Sequence, residues 1–258
     1  MRRITILLVG LLIFVSVPFI HAQDNPVELP ALQDGDLVEA SFEDDITTHL
    51  YAFNGSANDT VTINMTQLSN DLDPFLVLFN SDGVVLGYDD DSGSTSFAAE
   101  LSNIRLDDDG VYFVMATSVL FVDAIETETS DELSYVLTIS GQSTPNGIED
   151  SDIVTLDVEL LSIGDSVDGE STEDAPIALF YLNVSDGDAA TISLEADFFT
   201  LLHVFAPNGD RVAADASFAQ IEADQDGVYI IIATEAFFYE SMDDGSFFEG
   251  GRFTLVIE

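Results

Sequence analysis

Five aspartates lie on the two sides of one hairpin-like stretch of the sequence: Asp71, Asp73, Asp89, Asp90 and Asp91. The first two are separated by one residue, so in an extended chain their carboxylates point the same way. Carboxylates held within a few ångströms of one another repel unless a cation neutralises them. Ca²⁺ takes oxygen ligands of this kind and is often bound outside the cell. The five aspartates are therefore predicted to form a calcium site, and the alternative is a solvated acidic loop.

The hairpin between these aspartates decides whether their carboxylates meet. Two short apolar strand candidates are joined by a turn around Asp82-Gly83, a pair typical of hairpin turns. One placement of the loop sets residue 73 opposite residue 90, and the next sets residue 74 opposite residue 91. Either register brings the two acidic groups to the same end of the hairpin. The spacing is not that of an EF-hand, because the twelve-residue loop with its terminal Glu is absent.

The charge balance of the chain is extreme. Its 258 residues include 49 acidic side chains, five Arg and no Lys, which gives a formal net charge of −44. Nucleic acid is excluded as a partner, because phosphate binding needs cationic side chains. An anionic membrane surface is excluded for the same reason. The field of such a chain attracts cations, so we expect divalent cations among its partners.

The N-terminal segment has the layout of a secretory signal peptide. In residues 1–22, Arg2 and Arg3 precede an uncharged apolar run, and Ala22 supplies a small residue before an acidic stretch. We expect cleavage after Ala22, with an uncleaved anchor as the rival interpretation. No later segment is long and apolar enough to insert into a membrane. The chain contains no Cys, so disulfides, thiolate metal sites and thiol nucleophiles are excluded. These features predict a secreted or cell-envelope protein.

An internal repeat organises the rest of the chain. The string DGVYFVMAT at residues 109–117 recurs as DGVYIIIAT at residues 226–234. Neighbouring segments recur in the same order at similar spacing, as expected of a duplication. Each copy has seven or eight short strand candidates, which suits an antiparallel β-sandwich. We therefore predict an all-β fold of two tandem jelly-roll-like sandwiches. Its segments are a signal peptide (1–22), an N-terminal lead (23–33), a first sandwich (34–141), a linker (142–162) and a second sandwich (163–258).

The repeated string itself is predicted to be structural. Its alternate residues are apolar on both faces, so the strand is expected in the middle of a sheet that is covered on both sides. In the second copy only Glu195, Asp197 and Asp215 occupy places comparable to the five aspartates. We therefore expect weak cation binding there or none.

Other residue types with chemical potential carry less weight. His49 and His203 each lie in a strand pattern, and the nucleophile-elbow string G-x-S-x-G is absent. A hydrolase that uses a pair of carboxylates remains an alternative, although 49 acids make any one pair uninformative. Aromatic residues cluster at 198–199, 237–239 and 247–248, and we expect them to be buried. The alternative is an exposed platform for sugar rings or a protein partner.

A series of short motifs gives the chain a family resemblance. The motifs are a Tyr-containing strand (Tyr51, Tyr181), TVTINM (60–65), DLDPFLVLF (71–79), DDGVYFVM (108–115) and SYVLTI (134–139). In this order they resemble the bacterial pre-peptidase C-terminal domain. The resemblance covers both copies and is better in the first. It implies secreted β-sandwich modules with a non-catalytic accessory role, which bind polymers or assist secreted enzymes.

Together these observations predict a secreted, non-catalytic β-sandwich module. We expect it to bind an extracellular polymer, protein or secreted-enzyme partner, with Ca²⁺ stabilising the first copy. The two alternatives are a secreted hydrolase with a carboxylate pair and a passive structural protein of the envelope or matrix.

Overall fold

A computed structural model of the chain describes residues 27–42, 47–69, 71–95, 97–119, 133–143, 153–235 and 250–258. The predicted signal peptide and the aromatic clusters at 237–239 and 247–248 lie outside these residues. At 198–199 the expected burial is wrong for Phe199, which is 68% exposed. Within the described part the chain forms nineteen strands. No helix long and apolar enough to cross a membrane is found in the same ranges. The predicted all-β class is confirmed.

The first repeat is a sandwich of two four-stranded sheets. One sheet has the order β2-β9-β4-β7 and the other has the order β3-β8-β5-β6. Strands that follow one another along the chain change sheet at every step except from β5 to β6, which is the double Greek key of a jelly roll. The predicted jelly-roll-like sandwich is therefore confirmed here. Its strands are β2 (Leu37–Phe42), β3 (His49–Gly55), β4 (Thr60–Gln67), β5 (Pro74–Asn80), β6 (Val85–Asp89), β7 (Ala99–Arg105), β8 (Gly110–Ser118) and β9 (Leu133–Ser140).

The second repeat has the same topology. Its sheets are β12-β19-β14-β17 and β11-β13-β18-β15-β16, and the short β11 adds a parallel edge to β13. The strands are β11 (Leu160–Leu161), β12 (Ser166–Ser171), β13 (Ala178–Val184), β14 (Ala189–Ala196), β15 (Thr200–Phe205), β16 (Arg211–Asp215), β17 (Phe218–Glu222), β18 (Gly227–Glu235) and β19 (Gly251–Ile257). Even the irregularity in the β5–β6 pairing recurs at the equivalent place in β15–β16. The duplication read from the sequence is thus a duplication of structure.

A two-stranded ribbon joins the beginning of the chain to the segment between the repeats. It pairs β1 (Val27–Pro30) with β10 (Ile153–Leu156), and its register places Val27 opposite Leu156. The strands β10 and β11 both lie inside residues 142–162, where the sequence predicted a linker. Leu29, Val154 and Leu156 are buried in the core that lies between the two sandwiches.

The two repeated strands β8 and β18 are apolar on both faces because each face meets a different core. Tyr112, Val114 and Ala116 of β8 point into the first sandwich. Val111, Phe113 and Met115 point the other way and pack with residues of the second repeat. In β18 the residues Ile230 and Ile232 do the same from the opposite side. The prediction of a central strand covered on both sides is correct, and the cover on the outer face is the other repeat.

Backbone contacts at two hairpin turns fix this packing. The Leu50 amide donates to the Gly209 carbonyl at 2.7 Å, and the Ile177 amide lies 3.4 Å from the Gly83 carbonyl. Both glycines have left-handed backbone conformations, with φ of 79° at Gly83 and 89° at Gly209. A Cβ on Gly83 would lie 1.6 Å from the Ile177 carbonyl oxygen, and a Cβ on Gly209 would lie 2.3 Å from the Leu50 carbonyl oxygen. The turns therefore need glycine both for conformation and for close approach.

We expect Gly83→Ala to destabilise the whole protein more than Gly35→Ala. Gly35 has a similar φ of 86°, but nothing lies within 4 Å of its Cβ position, so it isolates the cost of the left-handed backbone. That cost is about 1–2 kcal/mol. Gly83→Ala adds a backbone clash with the other repeat, so its loss of unfolding free energy in urea should be at least about twice as large. Equal losses for the two variants would contradict the tight contact at this turn.

Candidate functional site

The hairpin β5–β6 adopts one of the two registers that the sequence allowed. Leu76 pairs with Asp89 and Val77 with Tyr88, which by extension sets residue 74 opposite residue 91. The Asn80 side chain holds the turn, because its Oδ1 accepts hydrogen bonds from the amides of Asp82 (3.0 Å) and Val84 (2.9 Å).

The structure separates the five predicted calcium ligands into different roles. Asp89 is used locally, since its carboxylate accepts hydrogen bonds from the amides of Ser92 (2.9 Å) and Glu100 (2.7 Å). Asp71 is exposed. Asp73 is half-buried, and its Oδ1 is buried without a hydrogen-bond partner among the described residues.

Three of the five aspartates act on one another electrostatically. Burial raises the pKa of Asp73, and the nearby charges of Asp91 and Asp90 raise it further. Across the described ranges no three His, Asp or Glu side chains come close enough together to hold a metal ion. The hairpin therefore brings Asp73, Asp90 and Asp91 to one end, but their carboxylates are not close enough together to coordinate one ion. The calcium site remains a prediction.

A second polar cluster, which the sequence did not predict, extends from the interior of the first sandwich to the second repeat. The His49 Nδ1 is 2.5 Å from the Tyr135 hydroxyl, and the Tyr135 hydroxyl is 2.7 Å from that of Tyr51. From the second repeat, an Asp210 carboxylate oxygen lies 3.5 Å from His49 Nε2. His49 and Tyr135 are buried, so these polar groups depend on one another for their hydrogen bonds. We call His49, Tyr51, Tyr135 and Asp210, with the residues around Arg211 described next, the interface cluster.

The buried Arg211 extends the interface cluster within and across the repeats. Its guanidinium donates to the Thr47 hydroxyl of the first repeat and lies 3.3 Å from His203 Nδ1 in its own repeat. Its backbone amide donates to the Thr48 carbonyl at 3.1 Å. One of the five arginines of the chain therefore lies in the contact between the repeats.

Both histidines of the cluster are held neutral. Burial lowers the pKa of His49, and the neighbouring Asp210 carboxylate offsets only part of that shift. Burial lowers the pKa of His203 well below its usual range, and the positive Arg211 lowers it further. Burial also raises the pKa of Tyr51 to about 12. Neither His49 nor His203 is therefore poised to exchange protons near neutral pH while the sandwiches stay packed.

Sequence reasoning placed the two histidines at sheet faces but did not bring them to one interface. The only local signal is the polar run Thr47-Thr48-His49 immediately before an otherwise apolar strand. Asp210 and Arg211 follow an Asn-Gly turn, where charged residues are common and carry no information.

The acidic residues of the second repeat line a separate surface. An open trough of about 670 Å³ lies on the outer face of the sheet β12-β19-β14, lined by Asp168, Gly169, Glu170, Glu195, Ala196, Asp197, Arg252, Phe253 and Thr254. Arg252 lies 3.7 Å from Glu170, and both side chains are exposed. Asp215, the third acidic residue noted in the sequence, instead accepts a hydrogen bond from the Ser217 amide at 3.3 Å.

The lowered pKa values of His49 and His203 predict acid sensitivity of the packed state. A histidine with a folded pKa below its unfolded value of about 6.5 leaves stability intact above that pH, and stability falls as the pH drops towards the folded pKa. Urea unfolding between pH 7.5 and 5 should therefore show a loss that His49→Gln and His203→Gln each reduce.

Tyr51→Phe is the matched control, because it changes the same cluster without changing titration in this range. Protonation of carboxylates relieves the net negative charge and stabilises the fold in acid, so only the difference from the wild-type slope is diagnostic. Histidine variants with the wild-type slope would contradict the assignment of both rings as neutral.

Comparison with known proteins agrees with the motif series in the first repeat. Residues 47–118 match the sequence model of the Bacterial pre-peptidase C-terminal domain. No curated protein sequence matches the chain.

Among solved structures, the chain is similar to the pre-peptidase C-terminal domain of a collagenase from Bacillus anthracis. The two are 14% identical with a TM-score of 0.34, over 45% of this chain and 98% of that one. It is also similar to tripeptidyl peptidase 2, at 12% identity and a TM-score of 0.26, over 88% of this chain and 24% of that one. These TM-scores are low, so the likeness to this family rests on the sequence match, which covers residues 47–118 and with them strands β3 to β8 of the first repeat.

Proposed function

We propose that the chain is a secreted, non-catalytic module that binds a polymer or protein partner outside the cell. The observation that carries this proposal is the match of residues 47–118 to the pre-peptidase C-terminal domain. Domains of this family occur in secreted bacterial peptidases and are generally non-catalytic. The net charge of −44 favours partners with cationic groups, including divalent cations.

The placement of the potentially catalytic side chains supports a binding role. The described His–Tyr–Asp constellation lies in the interface cluster, where Tyr135 is fully buried and His49 is 7% exposed. A nucleophile or general base has to reach a substrate atom within hydrogen-bond distance. The constellation meets the second repeat instead of an open surface, so its geometry serves packing.

The trough of the second repeat is the surface that best fits a cationic partner. Glu195 and Asp197 at its edge are exposed, and Arg252 is the one cationic side chain in its lining. Phe199, two residues beyond Asp197, is 68% exposed and adds apolar area next to the carboxylates. A protein segment with basic and apolar side chains would find both kinds of contact here.

Binding of a lysine-rich peptide tests this assignment. We expect the double variant Glu195→Gln, Asp197→Asn to weaken binding about tenfold at physiological salt, which corresponds to about 1.4 kcal/mol. The matched control is Asp107→Asn, Asp108→Asn, which removes the same charge from an exposed turn of the first repeat. Isothermal titration calorimetry measures both. An equal loss in the two double variants would mean that the peptide senses only the total charge.

Calcium binding by the first hairpin is part of the same proposal. The charges of Asp90 and Asp91 oppose ionisation of Asp73, so an added cation should relieve a repulsion that the folded state contains. We expect Ca²⁺ to raise the melting temperature of the wild type above its value in EDTA. A ligand at a hundredfold excess over its dissociation constant stabilises by about 2.7 kcal/mol if it binds only the folded state.

The variant Asp73→Asn should change the melting temperature in EDTA and the response to Ca²⁺ in opposite directions. Removing the charge should raise the melting temperature in EDTA, because the repulsion disappears, and should abolish most of the response to Ca²⁺. Asp107→Asn controls for the loss of one charge elsewhere. A wild-type response to Ca²⁺ in Asp73→Asn would assign the effect to diffuse screening and would remove calcium from the proposal.

A further inference from the structure

The contacts between the two repeats follow an approximate twofold relationship. The repeat places residues 74–84 in correspondence with 200–210, and residues 49–54 with 178–183. The paired strands agree with this correspondence, since Leu76↔Ala116 matches Leu202↔Ala233. In each direction the hairpin turn of one repeat touches the other repeat near the start of β3 or β13, since Gly209 contacts Leu50 and Gly83 contacts Ile177.

The two contacts differ in their buried polar groups. In one of them Thr47 and His49 of the first repeat meet Asp210 and Arg211 of the second, with His203 behind Arg211. The residues at the equivalent positions of the other contact are apolar: Pro176, Ala178, Val84, Val85 and Val77. The interface cluster therefore exists only on one side of the approximate twofold axis.

We propose that the face between the repeats is a self-recognition surface, which fits a second copy of this fold, and that the interface cluster makes it selective for pairing a first repeat with a second. Two surfaces related by a twofold axis are complementary to themselves, as in a symmetric dimer. Selectivity between similar partners then needs an element that penalises the wrong pair. The polar residues of the interface cluster supply it.

The penalty follows from which groups each wrong pair would bury. Two second repeats would place each Arg211 against Pro176, which has no hydroxyl to accept its hydrogen bond. A buried guanidinium that loses a hydrogen bond without replacement destabilises the pair that buries it. Two first repeats would place His49 against Val84 instead of Asp210 and would leave the ring without its carboxylate. Only the mixed pair satisfies both sides.

Cleavage of the chain between the repeats turns this proposal into a measurement. A protease site inserted in residues 144–152 allows the folded full-length chain to be cut, and native mass spectrometry then distinguishes the two halves by mass. At micromolar concentration we expect the halves to stay together as one-to-one pairs. During long incubation the wild type should form pairs of like halves as less than about a tenth of all pairs, since about 1.4 kcal/mol of preference corresponds to a factor of ten.

The triple variant His203→Val, Asp210→Val, Arg211→Val gives the second repeat the valines that the first repeat has at the equivalent positions 77, 84 and 85. It should raise the share of second–second pairs by about tenfold or more. Arg211→Met is a second variant that removes only the charge, and near-UV circular dichroism before cleavage shows that each variant is folded. Val212→Thr, at an exposed position of the same strand, is the control and should keep the wild-type pairing.

Each outcome decides the proposal. Halves that separate at micromolar concentration would overturn self-recognition. Wild-type halves that mix statistically would overturn selectivity. Folded Arg211→Met and triple variants that form only mixed pairs would show that the interface cluster does not choose the partner.

Discussion

The central physical constraint in this protein is that its two longest repeated strands are apolar on both faces. One face of β8 and one face of β18 are buried inside their own sandwiches, and the other faces would meet water in a single repeat. Exposed apolar area of that extent is rare on an isolated domain, and burying it is the dominant favourable term in association. Each sandwich provides the cover that the other lacks, so the molecule is a stack of four sheets in which the middle two share a core. The positions of the turn glycines and of the ribbon β1–β10 follow from that stacking.

The interface cluster is the polar counterpart of this apolar contact. An interface of hydrophobic side chains alone tolerates sliding and alternative partners, whereas buried hydrogen-bonding groups are satisfied in one arrangement only. Arg211 and His49 both lie at the edge of the contact between the repeats, where the turn between β15 and β16 reaches the start of β3. The chain has few cationic side chains and many surface carboxylates. Arg211 therefore distinguishes this position of the interface from all the acidic positions around it.

Much of the fold was predictable because it depends on local pattern. The bounds of β2 and β9 agree with the alternation of residues 37–42 and 133–140. The turn around Asp82-Gly83 allowed two registers, and at the acidic end of the hairpin the structure has the second. The internal repeat indicated that the two copies have the same strand order and the same fold. The partner of the outer faces was not predictable, because periodicity shows that a face is covered and not by what. His49 and Asp210 are brought together only by tertiary packing, and neither is unusual in its own segment.

The ribbon β1–β10 and the core between the repeats can form only after most of the chain has been synthesised. The partner of Val27 is Leu156, and the cover for Phe113 is completed only by residues as late as Ile232. A chain that emerges from its N-terminus therefore exposes a complete but uncovered first sandwich until nearly all of the second has followed. Long-range pairing of this kind is slow, and uncovered apolar sheets associate with one another while they wait. The time between the emergence of the two halves is then a period in which the chain can aggregate, and its length depends on the rate of synthesis and not on the stability of the finished molecule.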